Sequence, residues 1–462
     1  MSTIRKQAAL VNSTKLYYIP VATRVPLKFG SEVTTSVICA RASVELCKES
    51  RPSTTSIGWG ETPLNVQWVW PGNISYDERL QALCSLTEMI ARSWSEIQIS
   101  GHPLEIGHHF ITKRLPSLLA QINQTRESDK AIPWLAALVC ASPFDIATHD
   151  SYGILMSRPT YATYGPEYLV PDLSTFLEDP IFKGKYPTDY LHPTRRKLLS
   201  WHLVGGLDPI SPTELTGNEP TDDYPVLLDD WITNDGLQAL KIKLRGDDAH
   251  WDYQRLVTVG EIAARHQVTY LSADFNCTVT NPEYVNQILD RLRDNEPNTF
   301  EKILYVEQPF PYDLEKFQID VRSVASRIPL FMDESAHDWK LIKLGRSLGW
   351  NGVALKTCKT QTGAILSLCW AKHHGMKLMV QDLTNPMIAQ ISHLQLASHC
   401  DTIMGVETNS MQFYPAASLA EEKVHPHIYK RREGHVDLST LKGNGFGYRV
   451  GEIQRILPNP IA

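Results

Sequence analysis

The stretch Ala239-Leu240-Lys241-Ile242-Lys243-Leu244 decides how this sequence of 462 residues is interpreted. In a β-strand alternate side chains face opposite ways, so the three leucine and isoleucine side chains share one face while Lys241 and Lys243 share the other. On a solvated sheet such alternation indicates only a half-exposed strand. In a parallel barrel the second face looks into the barrel, where two ammonium groups are costly unless chemistry or an anion requires them. The surrounding sequence therefore has to decide between these two interpretations.

After Trp201, strand-like runs alternate with helical stretches for about two hundred residues. The strand-like runs are 202–207, 239–244, 268–274, 303–307, 330–333, 352–356, 378–382 and 402–407. Eight β/α units in series predict a (β/α)8 barrel. A doubly wound open sheet is the alternative, but it usually has fewer strands and binds its ligand at a single crevice.

The chain before the barrel has a different character. Residues 15–61 are strand-like at 16–19, 33–44 and 54–59, which fits an antiparallel meander with a loop marked by proline and glycine at 24–30. From Tyr76 the apolar spacing becomes helical, a second helix follows Pro103, and residues 133–157 predict a buried helix. These elements predict an α+β domain ahead of the barrel.

Residues 160–196 are rich in Tyr, Pro and Asp and have no clear period, so we expect an inserted excursion there. The formal net charge of −6 and the pI near 6.2 leave no basic footprint for nucleic acid and no polybasic membrane patch. The eight cysteines have no zinc or disulfide spacing, and no run of about 18 apolar residues is evident. We therefore expect a cytoplasmic protein with reduced thiols.

From the second strand to the eighth, each predicted barrel strand has a charged residue at its C-terminal end or one residue before it. These residues are Lys243, Asp274, Glu307, Asp333, Lys356, Asp382 and Glu407. In such barrels the working side chains come from the C-terminal strand ends. A single acidic residue at such a place is usually a helix cap, but seven charged residues in register are hard to attribute to capping.

Three of these strand ends, Asp274, Glu307 and Asp333, lie on consecutive strands and should converge at the barrel mouth. Like charges so close together repel, and a hard divalent cation with oxygen ligands is the simplest compensation, which favours Mg²⁺ over Zn²⁺. Lys243 precedes the trio and Lys356 follows it, so the two should face each other across the metal. That geometry suits removal of a proton from the carbon next to a carboxylate, with an enediolate intermediate and one lysine on each face.

The neighbouring charge of Lys241 should lower the pKa of Lys243, which ordinarily titrates near 10.4, toward that of a useful base. A Schiff-base lyase on an ordinary barrel is the competing use of such lysines, but it needs no carboxylate trio.

At this point the residues resemble a known family. The motifs are Lys241-Ile242-Lys243, Asp274-Phe275-Asn276, Val306-Glu307-Gln308-Pro309, Asp333-Glu334-Ser335 and Leu355-Lys356-Thr357-Cys358-Lys359. In this order and spacing they resemble the enolase superfamily, specifically its muconate-lactonizing-enzyme subgroup. Outside the site, Gly58-Trp59-Gly60-Glu61, the stretch Phe144-Asp145-Ile146-Ala147 with Asp150, and Gly443-Asn444-Gly445-Phe446-Gly447 resemble other segments of the same family.

The resemblance implies an α/β fold: a modified TIM (β/α)8-type barrel with an N-terminal α+β capping domain that C-terminal residues complete. The corresponding bounds are 1–132 for the capping domain, 133–415 for the barrel with its insertion at about 160–196, and 416–462 for the returning C-terminal segment. It also implies a Mg²⁺ site, with Mn²⁺ as the second choice, at Asp274, Glu307 and Asp333.

In the subgroup, the lysines matched by Lys243 and Lys356 are the acid/base residues and Lys241 assists them. The resemblance assigns Asn276 and Glu334 to the support of the metal ligands. The implied substrate contacts are Glu407, Asp382 and, in the capping-domain loop 24–30, Arg24, Lys28 and Phe29.

Related subgroups fit less well. The mandelate racemase subgroup has a His on strand seven and an Asp on strand six, where this chain has Gln381-Asp382 and Lys356. Dipeptide epimerases carry Asp-x-Asp after strand eight, whereas Glu407 is closer to the glutamate of muconate cycloisomerases. The remaining histidines near the barrel are predicted to be surface or capping residues: His337, His373 and His374.

The leading hypothesis is a Mg²⁺-dependent isomerase of a small carboxylate: a cycloisomerase, or a racemase or epimerase of an N-acyl or dipeptide substrate. The alternatives are a lyase or dehydratase of the o-succinylbenzoate synthase type and a non-catalytic binding protein of the same superfamily. Family habit predicts a homo-oligomer, and nothing in the sequence predicts nucleic-acid or membrane partners.

Overall fold

The structure is a computed structural model that describes residues 7–29 and 32–461. Gly30 and the side chain of Phe29, both in the predicted capping-domain loop, lie outside what it describes. The strands, in chain order, are β1 (Ala9–Phe29), β2 (Glu32–Lys48), β3 (Arg51–Pro63), β4 (Lys197–Val204), β5 (Ala239–Lys243), β6 (Tyr270–Asp274), β7 (Ile303–Glu307), β8 (Leu330–Met332), β9 (Gly352–Leu355), β10 (Lys377–Val380), β11 (Val406–Glu407) and β12 (His435–Asp437).

The helices are α1 (Val66–Val69), α2 (Tyr76–Ser95), α3 (Pro103–His109), α4 (Leu115–Asn123), α5 (Trp134–Leu155), α6 (Leu173–Leu177), α7 (Leu228–Asp235), α8 (Ala249–Arg265), α9 (Pro282–Asn295), α10 (Pro297–Lys302), α11 (Arg322–Ala325), α12 (Trp339–Leu348), α13 (Gln361–His373), α14 (Met387–Ser398), α15 (Ser410–Phe413) and α16 (Leu419–Glu422). A π-helical turn, Phe110–Arg114, joins α3 to α4. The helices predicted after residue 76, after Pro103 and at 133–157 correspond to α2, α3 and α5.

The N-terminal sheet is an antiparallel meander in the order β1-β2-β3. The predicted loop at 24–30 is wrong, because β1 continues to Phe29 and pairs with β2 almost to the hairpin tip. The pairing shifts between Ala22 and Leu27, and Pro26 falls inside that irregular stretch. A proline has no N–H to offer a ladder, so an irregularity is where a strand tolerates it.

The second sheet is the predicted barrel. Its parallel strands follow the order β10-β9-β8-β7-β6-β5-β4-β11, and β12 pairs antiparallel with β4. A hydrogen bond from Ile403 N to Leu378 O (2.7 Å) links the two ends of this series. The first strand runs earlier than predicted, at Lys197–Val204, because β12 pairs with its beginning, and the eighth is only the two residues of β11.

Strand β5 resolves the question posed by its alternating lysines. Leu240, Ile242 and Leu244 point outward and join the large core cluster between the strands and the surrounding helices. Lys241 and Lys243 are also buried, so they face the barrel interior rather than solvent. A separate apolar cluster fills the lower part of the barrel; it includes Trp201, Ala239, Tyr305, Phe331 and Met379.

Three separate parts of the chain meet at α5. Strand β3 packs so closely on this helix that a Cβ on Gly58 would lie 2.0 Å from Ser151 N. The buried carboxylate of Asp150 accepts hydrogen bonds from Trp59 N (2.9 Å) and Phe446 N (2.7 Å). Burial raises the pKa of Asp150 to about 7, although both N–H donors act against that shift. The three family-like segments, at residues 58–61, 144–150 and 443–447, therefore pack together and join the N-terminal domain to the C-terminal residues.

Helix α5 is also the most apolar long helix. The stretch Ser128–Leu155 is long and apolar enough to cross a membrane, contrary to the expectation that no such stretch exists. Of its most apolar 18-residue segment, 83% is buried inside the protein. Its burial on β2, β3 and the barrel is that of a core helix.

The predicted insertion is irregular, as expected, and contains α6 and short 3-10 turns. It packs against the outside of α13. The hydroxyl groups of Tyr161 and Tyr164 accept hydrogen bonds from Gln361 Nε2 (3.0 and 3.1 Å), and Tyr190 OH contacts His373 Nδ1 at 2.9 Å. The insertion therefore braces the helix that follows β9. All eight cysteines are free.

Candidate active site

The predicted site residues lie at the C-terminal strand ends, inside the barrel. The parallel register places Lys243 beside Asp274 and Asp274 beside Glu307, so these three form one row across β5, β6 and β7. Asp333 follows β8 directly and Lys356 follows β9, and all five side chains are buried. The sequence predicted this set, and the fold brings it together.

Lys241 lies among three carboxylates. Its Nζ is 2.5 Å from Glu307 Oε1, 3.0 Å from Glu407 Oε2 and 3.1 Å from Asp274 Oδ2. Burial alone would lower the pKa of Lys241, but the charges of these carboxylates outweigh burial and hold that pKa well above its ordinary value. Lys241 is therefore a permanent positive charge that ties β5, β6, β7 and β11 together.

Lys243 reaches the outer side of the same cluster. Its Nζ contacts Asp274 Oδ2 at 2.5 Å and Asn276 Oδ1 at 2.7 Å. Asn276 is held in turn, because its backbone N–H donates to Asp274 Oδ1 (2.9 Å) and its amide donates to Leu244 O (3.2 Å). Its positive φ of 52° is one that asparagine tolerates better than most residues.

Lys356 occupies the opposite side. Its Nζ is 2.9 Å from Asp333 Oδ2 and donates to Asp382 O at 3.0 Å. The nearby Lys359 donates to Asp333 O (2.5 Å) and Ala336 O (3.2 Å). Burial would raise the pKa of Asp333, but these two ammonium groups, with Lys241, hold it below its usual range. Lys359 was not singled out from the sequence, although its spacing from Lys356 was a signal.

The carboxylates of Asp382, which follows β10, and Glu407, at the end of β11, have different surroundings. Asp382 Oδ2 accepts backbone hydrogen bonds from Asn409 N (2.8 Å) and Asn385 N (3.3 Å), so this side chain fixes the two strand ends. Glu407 contacts Lys241 and accepts from Asn409 Nδ2 at 2.9 Å. Glu407 therefore meets the cluster through its ion pair with Lys241, and Asp382 meets it through its backbone carbonyl, which accepts from Lys356.

Trp68 is a site residue that sequence reasoning missed. It belongs to α1 of the N-terminal domain, and its Nε1 donates to Glu334 Oε1 at 2.9 Å. Its ring lies over the two lysines that follow β9, with Nζ to centroid distances of 5.0 Å for Lys356 and 5.5 Å for Lys359. A buried tryptophan in a short apolar helix carries no sequence signal that separates this position from an ordinary core residue.

The cluster combines potential metal ligands with lysine ammonium groups. Within residues 7–29 and 32–461, no group of three or more His, Cys, Asp or Glu is arranged so that it could hold a metal ion. Lysine ammonium groups lie between the carboxylates of the cluster. The buried carboxylates are Asp274, Glu307, Asp333, Glu334, Asp382 and Glu407, and the buried ammonium groups are Lys241, Lys243, Lys356 and Lys359.

When all ten groups are ionised, the six carboxylates outnumber the four ammonium groups by two, which is the charge of one divalent cation. Glu334 shows the imbalance: burial and then the charges of Asp333 and Asp274 raise its pKa, and its Oε2 is buried without a hydrogen-bond partner among the described residues. The type and number of donors, carboxylate oxygens in excess of the ammonium groups, fit a hard, oxygen-liganded cation, whereas their arrangement in this structure is that of lysine ion pairs. The metal-ligand assignment of Asp274, Glu307 and Asp333 stays a prediction.

The two basic residues predicted in the capping-domain hairpin are separated. Arg24 makes a bidentate ion pair with Asp222 (2.8 and 3.1 Å) and donates to Tyr224 O (2.8 Å), and it lines a cavity of about 390 Å³ with the loop after β4. Lys28 lines a different cavity, of about 420 Å³, together with Lys243. Arg24 therefore clamps the hairpin to the barrel, and Lys28 faces the proposed site.

The three histidines predicted to be surface or capping residues differ in their positions. His373 ends α13 and His374 caps it, as expected, whereas His337 is buried beside Tyr312 and not on the surface. Burial lowers the pKa of His337 to about 3, so this ring is neutral. Its sequence position before α12 gave no indication of the aromatic and lysine neighbours that enclose it.

Residues 225–452 match the family described as Enolase C-terminal domain-like. No sequence among the curated proteins matches the chain. Solved structures with the same fold include a dipeptide epimerase from Enterococcus faecalis complexed with Mg and the dipeptide L-Leu-L-Tyr, at 16% identity and a TM-score of 0.61, covering 95% of this chain and 99% of that one.

An N-succinyl Arg/Lys racemase from Bacillus cereus has 15% identity and a TM-score of 0.61, with 96% of this chain and 97% of that chain covered. A muconate lactonizing enzyme from Pseudomonas fluorescens complexed with muconolactone has 14% identity and a TM-score of 0.59, with 97% and 100% covered. At these identities the likeness establishes the fold: a TIM-type barrel under an N-terminal α+β domain.

Proposed function

Because residues 225–452 match the family described as Enolase C-terminal domain-like, we propose that the protein is an enzyme that moves the proton on the carbon next to a substrate carboxylate. Lys243 and Lys356 are the acid and the base, one on each face of that carbon. The reaction class is isomerisation: racemisation, epimerisation or cycloisomerisation.

One observation carries the proposal: two buried lysines flank a row of buried carboxylates. Lys243 and Lys356 end β5 and β9, with the three carboxylate-bearing strands β6, β7 and β8 between them. Each lysine is ion-paired with a strand-end carboxylate, Lys243 with Asp274 and Lys356 with Asp333. Racemisation needs a proton donor and acceptor on opposite faces, and two lysines on either side of a carboxylate row support that assignment.

Asp274, Glu307 and Asp333 would hold a divalent cation, Mg²⁺ or as second choice Mn²⁺, with Asn276 and Glu334 supporting them. When bound, such an ion supplies an electrophile for the substrate carboxylate and stabilises the enediolate charge. Lys241 keeps Glu307, Glu407 and Asp274 in place with its fixed charge. The ring of Trp68, from the N-terminal domain, covers Lys356 and Lys359 and would limit the access of water to them.

Proton exchange in D₂O tests this proposal directly. With Mg²⁺ and a panel of N-acyl amino acids, dipeptides and unsaturated dicarboxylates, the wild-type protein should exchange the α-proton of an amino-acid substrate or place deuterium on the α-carbon of a cycloisomerised product. Lys243→Ala and Lys356→Ala should each abolish exchange from one face, and chelation of the metal should abolish both. The matched control is Lys377→Ala, which removes an exposed lysine from the opposite end of a barrel strand and should change nothing.

Exchange that persists at the wild-type rate in both variants would refute the two-lysine assignment. The product distinguishes the reaction classes: an isomerase conserves mass, whereas a lyase or dehydratase of the o-succinylbenzoate synthase type releases water or a second product.

A further inference from the structure

A second group of cationic side chains lies beside the proposed site. A cavity of about 420 Å³ extends from the buried Lys243 and the half-buried Asn276 to the exposed Arg245. Lys28, from the N-terminal hairpin, and Trp251, from the first turn of α8, also line it. The volume is within the range of pockets that enclose small ligands.

Arg245 is held in place without the use of its hydrogen-bond donors. Its Cζ lies 4.0 Å from the centroid of the Trp251 ring, a close cation–π contact. No hydrogen bond or ion pair to its guanidinium is present among the described residues. A guanidinium placed over an aromatic ring keeps its planar set of N–H donors available, and that set matches the two oxygens of a carboxylate.

Lys28 reaches the same cavity from the other domain. Its side chain passes close to Gly206, at the start of the loop after β4: a Cβ built on Gly206 would lie 3.9 Å from Lys28 Cδ. Its ammonium also has no partner among the residues that the structure describes, in contrast to Arg24, which is fully engaged by Asp222. The cavity lining contains one carboxylate, the exposed Asp247, and three cationic side chains, so its positive charges outnumber its negative charge.

We propose that this cavity binds a second anionic group of the substrate, a carboxylate remote from the reacting carbon, through Arg245 and Lys28. The inference rests on the proposed function and deepens it: the substrate is a dianion, with one carboxylate at the strand-end cluster and the other beyond Lys243. Two unpaired cations held next to a lysine repel it and each other, and a bound anion relieves that repulsion. Arg245 and Trp251 are specificity-determining residues outside the lysine and carboxylate cluster.

The test compares each dicarboxylate substrate with its distal monoamide, which has the same shape and lacks the charge. For the wild-type protein kcat/KM should favour the diacid. In Arg245→Gln and Lys28→Gln the ratio of the two kcat/KM values should fall about 10- to 100-fold, the effect of losing one hydrogen bond to a charged group. A distal phosphonate in place of the carboxylate tests whether planarity matters, and a preference for it would overturn the assignment to a carboxylate.

Arg291→Gln is the matched control. Arg291 also lies over an aromatic ring, with its Cζ 3.7 Å from the Tyr253 centroid, but it is an exposed residue of α9 that does not line the cavity. This substitution should leave the diacid-to-monoamide ratio unchanged. An unchanged ratio in Arg245→Gln and Lys28→Gln would overturn the inference.

A binding measurement separates failure of the inference from failure of the proposed function. Calorimetric titration with glutarate or adipate, against butyrate or pentanoate, needs no turnover. If no substrate reacts but dicarboxylates bind in an Arg245-dependent manner, the proposed reaction is wrong and the anion site stands. If substrates react and the ratio and the binding are both independent of Arg245, the anion site is wrong and the reaction stands.

Discussion

The buried carboxylate of Asp150 should make the stability of this protein depend on pH in a way that one substitution removes. In an unfolded chain the group has a pKa of 3.8, and burial raises the pKa of Asp150 to about 7 in the folded protein. Between these values the folded state holds a proton that the unfolded state has released. The stabilisation is therefore complete below pH 3.8 and is lost as the pH rises to 7.

The magnitude follows from the shift. Each pKa unit corresponds to about 1.4 kcal/mol, so the full loss is about 4 kcal/mol, of which about 3 kcal/mol falls between pH 5 and pH 8. Asp150→Asn cannot titrate, and its amide can accept only one of the N–H groups of Trp59 and Phe446. The variant should be less stable than wild type at pH 5, and the difference should shrink by about 3 kcal/mol at pH 8.

Urea unfolding followed by tryptophan fluorescence at both pH values measures this difference. Asp320→Asn is the control, because it removes an exposed carboxylate whose pKa is lowered by the Arg322 backbone N–H, so its titration is complete below pH 5. A stability difference between wild type and Asp150→Asn that is constant from pH 5 to pH 8, or that grows with pH, would refute the reasoning.

Two further substitutions test how the N-terminal domain meets the barrel. Gly60→Ala would place a Cβ 2.1 Å from a backbone carbonyl oxygen of α5, so it should lower the free energy of unfolding by about 3 kcal/mol or more in the same urea titration. Gly72→Ala is the control, because Gly72 has open space around it and the substitution should have little effect. Trp68→Phe keeps an aromatic ring over the lysines but removes the hydrogen bond to Glu334, so kcat/KM should fall about tenfold. Trp70→Phe, in the same segment, is the control and should leave kcat/KM unchanged.

The sequence predicted the part of the site that depends on strand geometry alone. The alternation in β5 required both lysines to share one face, and the regular spacing of β/α units required the charged strand ends to meet at one end of the barrel. Parallel register then placed Lys243, Asp274 and Glu307 in a row without further information.

The rest depended on contacts between distant segments, which local pattern does not encode. Trp68 is 266 residues from Glu334, and Arg24 is 198 residues from Asp222, so neither pairing has a sequence signature. Arg24 and Lys28 look equivalent in the sequence, yet one forms a clamp and the other faces a cavity. The loop prediction at 24–30 failed for a related reason, because pairing with β2 overrode the local preference of Pro26.

The contact between the last described residues and the first strand has a consequence for biosynthesis. Ile461 N donates to Leu16 O (2.8 Å), and Phe446 N completes the pair of bonds to Asp150. A ribosome makes every proposed catalytic lysine and carboxylate before it makes these residues. The emerging chain therefore carries these lysines and carboxylates before Phe446 and Ile461 can complete the packing of the N-terminal domain.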